Sequence, residues 1–113
     1  MAARIVPTPQ PFTSLGLTAA YTGPTVDGDS IMNNGARLLH VTNGSGSSIN
    51  VTVNLGRTID GQAIAAKVHA IAAGASKFIG PFGVNYSQPT GEVLVDYSAI
   101  TTVTRAVFEY VKP

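Results

Sequence analysis

The chain is 113 residues long, the length of one domain. Apolar residues make up 44% of it and charged residues 12%, about half the usual charged share, which argues against intrinsic disorder. Seven Lys and Arg against six Asp and Glu leave a net charge of +1, which predicts no nucleic-acid partner and no membrane partner, and no apolar run reaches the ~18–20 residues of a membrane-crossing helix. Cysteine is absent, so disulfides, thiolate-held metals and thiol nucleophiles are removed as well. The opening Met1-Ala2-Ala3-Arg4-Ile5-Val6 has no secretory-type apolar stretch, which predicts assembly in the cytoplasm where the chain is made.

Proline stands at alternate positions in Pro7-Thr8-Pro9-Gln10-Pro11-Phe12. Each ring sets φ to about −65° and pushes the preceding residue toward extended backbone. Residues 1–14 therefore read as a stiff, extended N-terminal arm, neither helix nor central strand. Such an arm is either a loose terminus or is laid on another subunit, where its stiffness lowers the entropy lost on docking.

Residues 15–113 read as one domain of short strand-like runs. A strand is expected over 15–21, closed by Thr22-Gly23-Pro24. Asp27-Gly28-Asp29 and Asn33-Asn34-Gly35 are turn clusters, since Asn and Gly tolerate positive φ. A strand over 36–42 places Leu39 and Val41 on one face, and Asn43-Gly44-Ser45-Gly46-Ser47 is expected as an exposed loop. In Ile49-Asn50-Val51-Thr52-Val53-Asn54-Leu55 apolar and polar residues alternate strictly, which buries the four apolar side chains together. With 36–42 this strand is expected to form a hairpin around the Gly/Ser loop.

Residues 62–73 fit two templates. Ile64, Val68, Ile71 and Ala72 have helical spacing, but a strand over 67–72 suits an all-β series better, with turns at Asp60-Gly61 and Ala73-Gly74-Ala75-Ser76. A strand over 77–82 is stopped by Pro81, residues 83–91 are loop, and a strand over 92–98 puts Val93, Val95 and Tyr97 on one side. The last run, 101–111, is apolar on both faces, with Val103, Val107 and Val111 on one and Ala106, Phe108 and Tyr110 on the other. Such a strand is either sandwiched within the fold or covered by a partner. About seven or eight strands with turns every ~8–12 residues predict an all-β fold: a single antiparallel β-sandwich, jelly-roll or immunoglobulin-like, carrying the N-terminal arm.

Chemistry-bearing residues are few. His40 and His69 fall in strands, and a metal wants at least one further ligand. No Gly-x-Ser-x-Gly elbow marks a nucleophile, and one acidic pair, Asp27 and Asp29, is too few for the ~6–8 oxygens of calcium. Phosphate-cradling glycine loops set between strand and helix are missing. The four Tyr and four Phe, without Trp or a basic groove, are better placed in a core than on bases or sugars. We expect no catalytic, cofactor or metal site and no enzyme activity.

Five stretches carry a resemblance: Arg37-Leu38-Leu39-His40-Val41-Thr42-Asn43-Gly44, Ile49-Asn50-Val51-Thr52-Val53, Ile59-Asp60-Gly61, Ala73-Gly74-Ala75-Ser76-Lys77-Phe78-Ile79-Gly80-Pro81-Phe82, and Gly91-Glu92-Val93-Leu94-Val95-Asp96-Tyr97. Over residues 15–111 the chain resembles small head decoration (cement, minor capsid) proteins of tailed phages and prophages of actinobacteria. The resemblance implies a β-sandwich on the capsid exterior of a virion, bound to the major capsid protein. Self-association as a homotrimer at local three-fold positions is also implied. The arm residues Arg4, Pro7, Pro9, Pro11 and Phe12 are then expected to contact the capsid, and Ala106, Phe108 and Tyr110 a sister subunit. A ring-forming head–tail connector or tail component is the alternative, and a carbohydrate-binding module a third reading.

Overall fold

The computed structural model describes residues 4–55, 58–63, 65–83 and 86–110. Ten strands make up the described fold: β1 (Pro9–Pro11), β2 (Asp29–Met32), β3 (Arg37–Asn43), β4 (Ile49–Val53), β5 (Thr58–Ile59), β6 (Gln62–Ala63), β7 (Lys67–Ile71), β8 (Ser76–Ile79), β9 (Glu92–Tyr97) and β10 (Val103–Glu109). Eight of them form two four-stranded sheets, ordered β1-β10-β3-β8 and β2-β9-β4-β7, and β5 and β6 pair separately. Every pairing is antiparallel except that of β1 with β10. No helix among the described residues is long and apolar enough to cross a membrane.

One hydrophobic cluster draws on both sheets. Ile31, Ile49, Val51, Val53, Ile71, Val93 and Val95 come from one, and Leu39, Val41, Ile79, Val103 and Val107 from the other, with Phe82 added from the segment after β8. Burying each such side chain contributes ~1.5–3 kcal/mol, which makes this cluster the main stabilising term. The period-two faces expected for β3, β4 and β9 are observed for Leu39, Val41, Ile49, Val51, Val53, Val93 and Val95, all buried, whereas Tyr97 is half-buried and Leu55 lies half-buried beyond the end of β4.

Three expectations need correction. Residues 36–42 and 49–55 do not form a hairpin: β3 pairs with β10 and β8, whereas β4 pairs with β9 and β7. The loop between them carries the chain from one sheet to the other. Alternation satisfies the core equally from either side, so it specifies the buried face and not the sheet. No strand forms over 15–21, whose residues are exposed; only Thr22 makes a bridge, to Arg105. Asn43 is not an exposed loop residue. It ends β3 fully buried, and its amide donates to the carbonyls of Ser47 at 2.8 Å and Ile71 at 3.0 Å while its Oδ1 accepts from the Ser45 amide at 3.0 Å. A side chain that replaces backbone partners this way is how a sharp crossover is satisfied without water.

Residues 67–72 are a strand, as the all-β reading requires, with β7 covering 67–71. Asp60 and Gly61, both at positive φ, turn the short β5–β6 hairpin, an arrangement suited to two-residue hairpin turns. β2 was not expected, because its first two residues are polar, yet Asp29 and Ser30 are buried. Val111 and Ile64 lie outside the described residues.

The N-terminal segment lies on its own chain. Ile5 bridges to Asp29 in parallel beside β2, and four residues later β1 runs parallel to β10 with Pro9 opposite Val107. The segment thus passes from the edge of one sheet to the edge of the other. The Phe12 amide donates to the Glu109 carbonyl at 3.0 Å. By strand alternation the Gln10 N–H points the same way, so Pro9 and Pro11 occupy the positions facing outward, where no donor is needed.

Candidate functional site: an aromatic sheet face

The same alternation that sends Leu39, Val41, Ile79 and Val107 into the core sends their neighbours outward on the sheet β1-β10-β3-β8. Pairing aligns Ala106 with His40, and His40 with Phe78, across three strands, and Phe108 lies next along β10 opposite Gln10 and Leu38. The result is a contiguous aromatic cluster. His40 stacks on Phe78 with ring centres 4.0 Å apart, Phe12 stacks on Phe108 at 5.5 Å, and Tyr21 stands edge-on to both His40 and Phe108. Such offset and edge contacts are worth ~0.5–1.5 kcal/mol each beyond burial.

The exposed segment before Thr22 is held on this face by polar bonds. The Gln10 amide donates to the Ala20 carbonyl at 2.7 Å and accepts the Ala20 N–H at 2.9 Å, imitating a backbone strand pair. The Tyr21 hydroxyl lies 2.7 Å from His40 Nδ1. Partial burial keeps the His40 imidazole below its usual pKa.

Each expected contact residue has a definite place. Arg4 bonds the Val95 carbonyl at 3.0 Å and pairs with Asp96 at 2.8 Å. Burial alone would raise the Asp96 carboxyl, but hydrogen bonds from Arg4 and Asn54, with the Arg4 charge, outweigh it and hold it below its usual range. Pro7 lines a concavity of about 430 Å³ where the N-terminal segment crosses between sheets, over Arg105, Ala106 and Val107. Pro9 and Pro11 belong to β1, and Phe12 stacks on Phe108. Within the single chain Phe108 and Ala106 are each 3% exposed, so the outer side of β10 is covered by the chain's own residues. Tyr110 remains at the surface, as does Phe78, 59% exposed.

The residues weighed for chemistry do not converge. His40 faces outward from β3, whereas His69 sits on β7 in the other sheet, and no group of three potential metal ligands occurs among the described residues. Asp29 is committed elsewhere. Its carboxylate takes a two-pronged bond from Arg105, Nε at 2.8 Å and Nη2 at 2.9 Å, and a third bond from the Tyr97 hydroxyl. This pair, 2% and 0% exposed, joins β10 of one sheet to β2 and β9 of the other. Burial and the adjacent Asp29 carboxylate push the Tyr97 phenol far above its ordinary pKa; burial works against the Arg105 charge, but Asp29 raises its pKa on balance.

Sequence reading missed Tyr21, His40 and Phe78 as parts of one face. The signal was present in Leu38-Leu39-His40-Val41 and Phe78-Ile79, where residues flanking the buried positions are themselves aromatic. The chain matches no family, no curated protein and no solved structure.

Proposed function

We propose that the chain is a non-catalytic structural protein, a β-sandwich of jelly-roll or immunoglobulin-like connectivity. In this reading it decorates the outside of a tailed-phage head and ties neighbouring major capsid protein subunits together. The observation that carries this reading is the aromatic sheet face, with Phe78, Phe12 and Tyr21 at its surface. Contiguous apolar surface on a small, weakly charged domain marks a place where another protein sits. Many copies of such a contact, each weak, resist expansion of a shell collectively. Near-neutral net charge keeps copies packed on one shell from repelling one another.

The purified protein, added to empty heads of the phage that encodes it and imaged by electron cryo-microscopy, should appear on the outer surface at local three-fold positions. Sedimentation should give a trimer, there or in solution. A six-membered ring at the head–tail junction, or no attachment, would overturn the proposal. Phe78→Asp should keep the fold and abolish attachment, because Phe78 contributes surface and little core.

A further inference from the structure

The two sheets end differently on their two sides. On one, the N-terminal segment runs beside both β2 and β10. On the other, β7 and β8 are the outermost strands, and no described strand pairs with their outer edges. Strand edges of this kind invite a further strand unless something blocks them.

The residues along this side have an unusual arrangement. On β7, Lys67 lies opposite Val53, and His69 opposite Val51, so both occupy core-facing positions at the rim. On β8, Lys77 lies opposite Val41, again core-facing. Two ammonium groups and one imidazole therefore converge from two sheets at the open mouth of the core. Lys77 spans it, its Nζ 3.1 Å from the Ala70 carbonyl of β7. Burial first, then the charges of Lys77 and Lys67, hold the His69 imidazole below its usual pKa. Arg4, Arg37 and Arg105 each have an acidic partner, whereas Lys67 and Lys77 enter no ion pair among the described residues.

The backbone there is also available. The Asn50 carbonyl accepts from the Ser98 N–H at 2.9 Å and the Asn50 N–H donates to Ser98 Oγ at 2.8 Å, both on the β9 side of β4. Opposite Asn50 on β7, Ala70 therefore directs its own N–H and carbonyl outward, and two residues earlier Val68 does the same. Val68 is also 57% exposed on the outer face. A concavity of about 210 Å³ is lined by His69 together with Ile79, Gly80, Pro81, Phe82 and Tyr86.

We propose that the outer edge of β7, with Lys67, His69 and Lys77 along its inner side, docks an acidic, extended segment of a partner protein. The segment adds as a fifth strand through the backbone groups of Val68 and Ala70. Carboxylates at alternate positions meet the two ammonium groups and the N–H of the His69 ring, and apolar residues between them lie beside Val68. An incoming N–H takes over the Ala70 carbonyl and releases the Lys77 ammonium to a carboxylate. A second copy of this chain is disfavoured, because pairing β7 with β7 would bring like charges together. Two lysines and one imidazole on a strand edge also lack the extended basic track that a nucleic acid requires. This inference does not rest on the aromatic face or on the decoration reading.

The test uses the full-length protein and a fluorescein-labelled synthetic peptide alternating glutamate and valine. Polarisation should report saturable binding that weakens at high salt, and amide spectra should shift at Val68 and Ala70. The charge-reversed Lys67→Glu/Lys77→Glu protein, its fold checked by circular dichroism, should bind roughly tenfold more weakly or worse. So should a peptide with glutamine in place of glutamate. Val68→Pro, which removes one edge donor, should also lose binding. The proposal is overturned if the glutamine peptide binds equally well, or if the amides of β7 do not move. It is equally overturned if an oligonucleotide of the same charge binds more tightly, or if the chain dimerises through β7.

Discussion

Asn43 illustrates how much one buried amide can organise. Replacing it with Ala leaves the Ile71 and Ser47 carbonyls and the Ser45 amide without that partner, at a cost of ~2–4 kcal/mol. Urea unfolding should show the loss in the midpoint with little change in slope. The Asp29–Arg105 pair is a second such site. Asp29→Leu leaves a buried guanidinium uncompensated and should cost ~3–5 kcal/mol, while Asp29→Leu combined with Arg105→Met should recover part of it. Chemical denaturation of both variants checks the order. The aromatic face offers a contrast, because Phe108→Asp places a charge at a 3% exposed position and should unfold the domain, unlike Phe78→Asp. Titration adds a further expectation. His40 and His69 bind protons less readily in the folded chain than unfolded, where they titrate from about 6.5, so their contribution to stability falls as pH drops through that value. Asp96, held below 3.8, contributes above that pH and loses its contribution as pH falls through its lowered pKa. Both act in the same direction, and the urea midpoint should decline from about pH 7.5 to about pH 3.

Among the elements, the N-terminal segment has the clearest dual character. Its alternate prolines made extended backbone legible from the residues alone, and they also ruled out a central strand. What it lies on was not legible, since β10 is about a hundred residues away in sequence. Deleting residues 1–12 removes β1, the Ile5 bridge, the Arg4–Asp96 pair and the Phe12 cover of Phe108. The expected loss is ~3–6 kcal/mol, a large fraction of an ordinary domain's stability, and a urea midpoint no different from the parent's would refute it. Gly28, at φ +80°, holds the entry to β2 where a Cβ would collide with the Val95 carbonyl. Gly28→Ala should therefore destabilise the same corner, as thermal unfolding can measure. The strand over 15–21 failed for the converse reason: its residues have strand-like composition, but β1 already fills the edge of β10, and Ala20 bonds the side chain of Gln10 in place of a backbone partner.

On the scale of the whole molecule, two sheets enclose one core, the N-terminal segment closes one flank, and β7 and β8 leave the other open. Which residues face inward was readable beforehand, because a side chain's direction along a strand follows from a period of two and from the cost of leaving Val, Ile or Leu in water. Ile49, Val51 and Val53 needed nothing else. Sheet membership was decided by long-range pairing: β3 and β4 are close in sequence yet lie in opposite layers, joined by the amide of Asn43. The same holds for the buried Asp29, for the ring cluster around Phe108, and for Lys67, His69 and Lys77, brought together from β7 and β8. Local order carries the alternation of burial, but the company each side chain keeps depends on contacts between distant segments, whose energies exist only once the layers have closed.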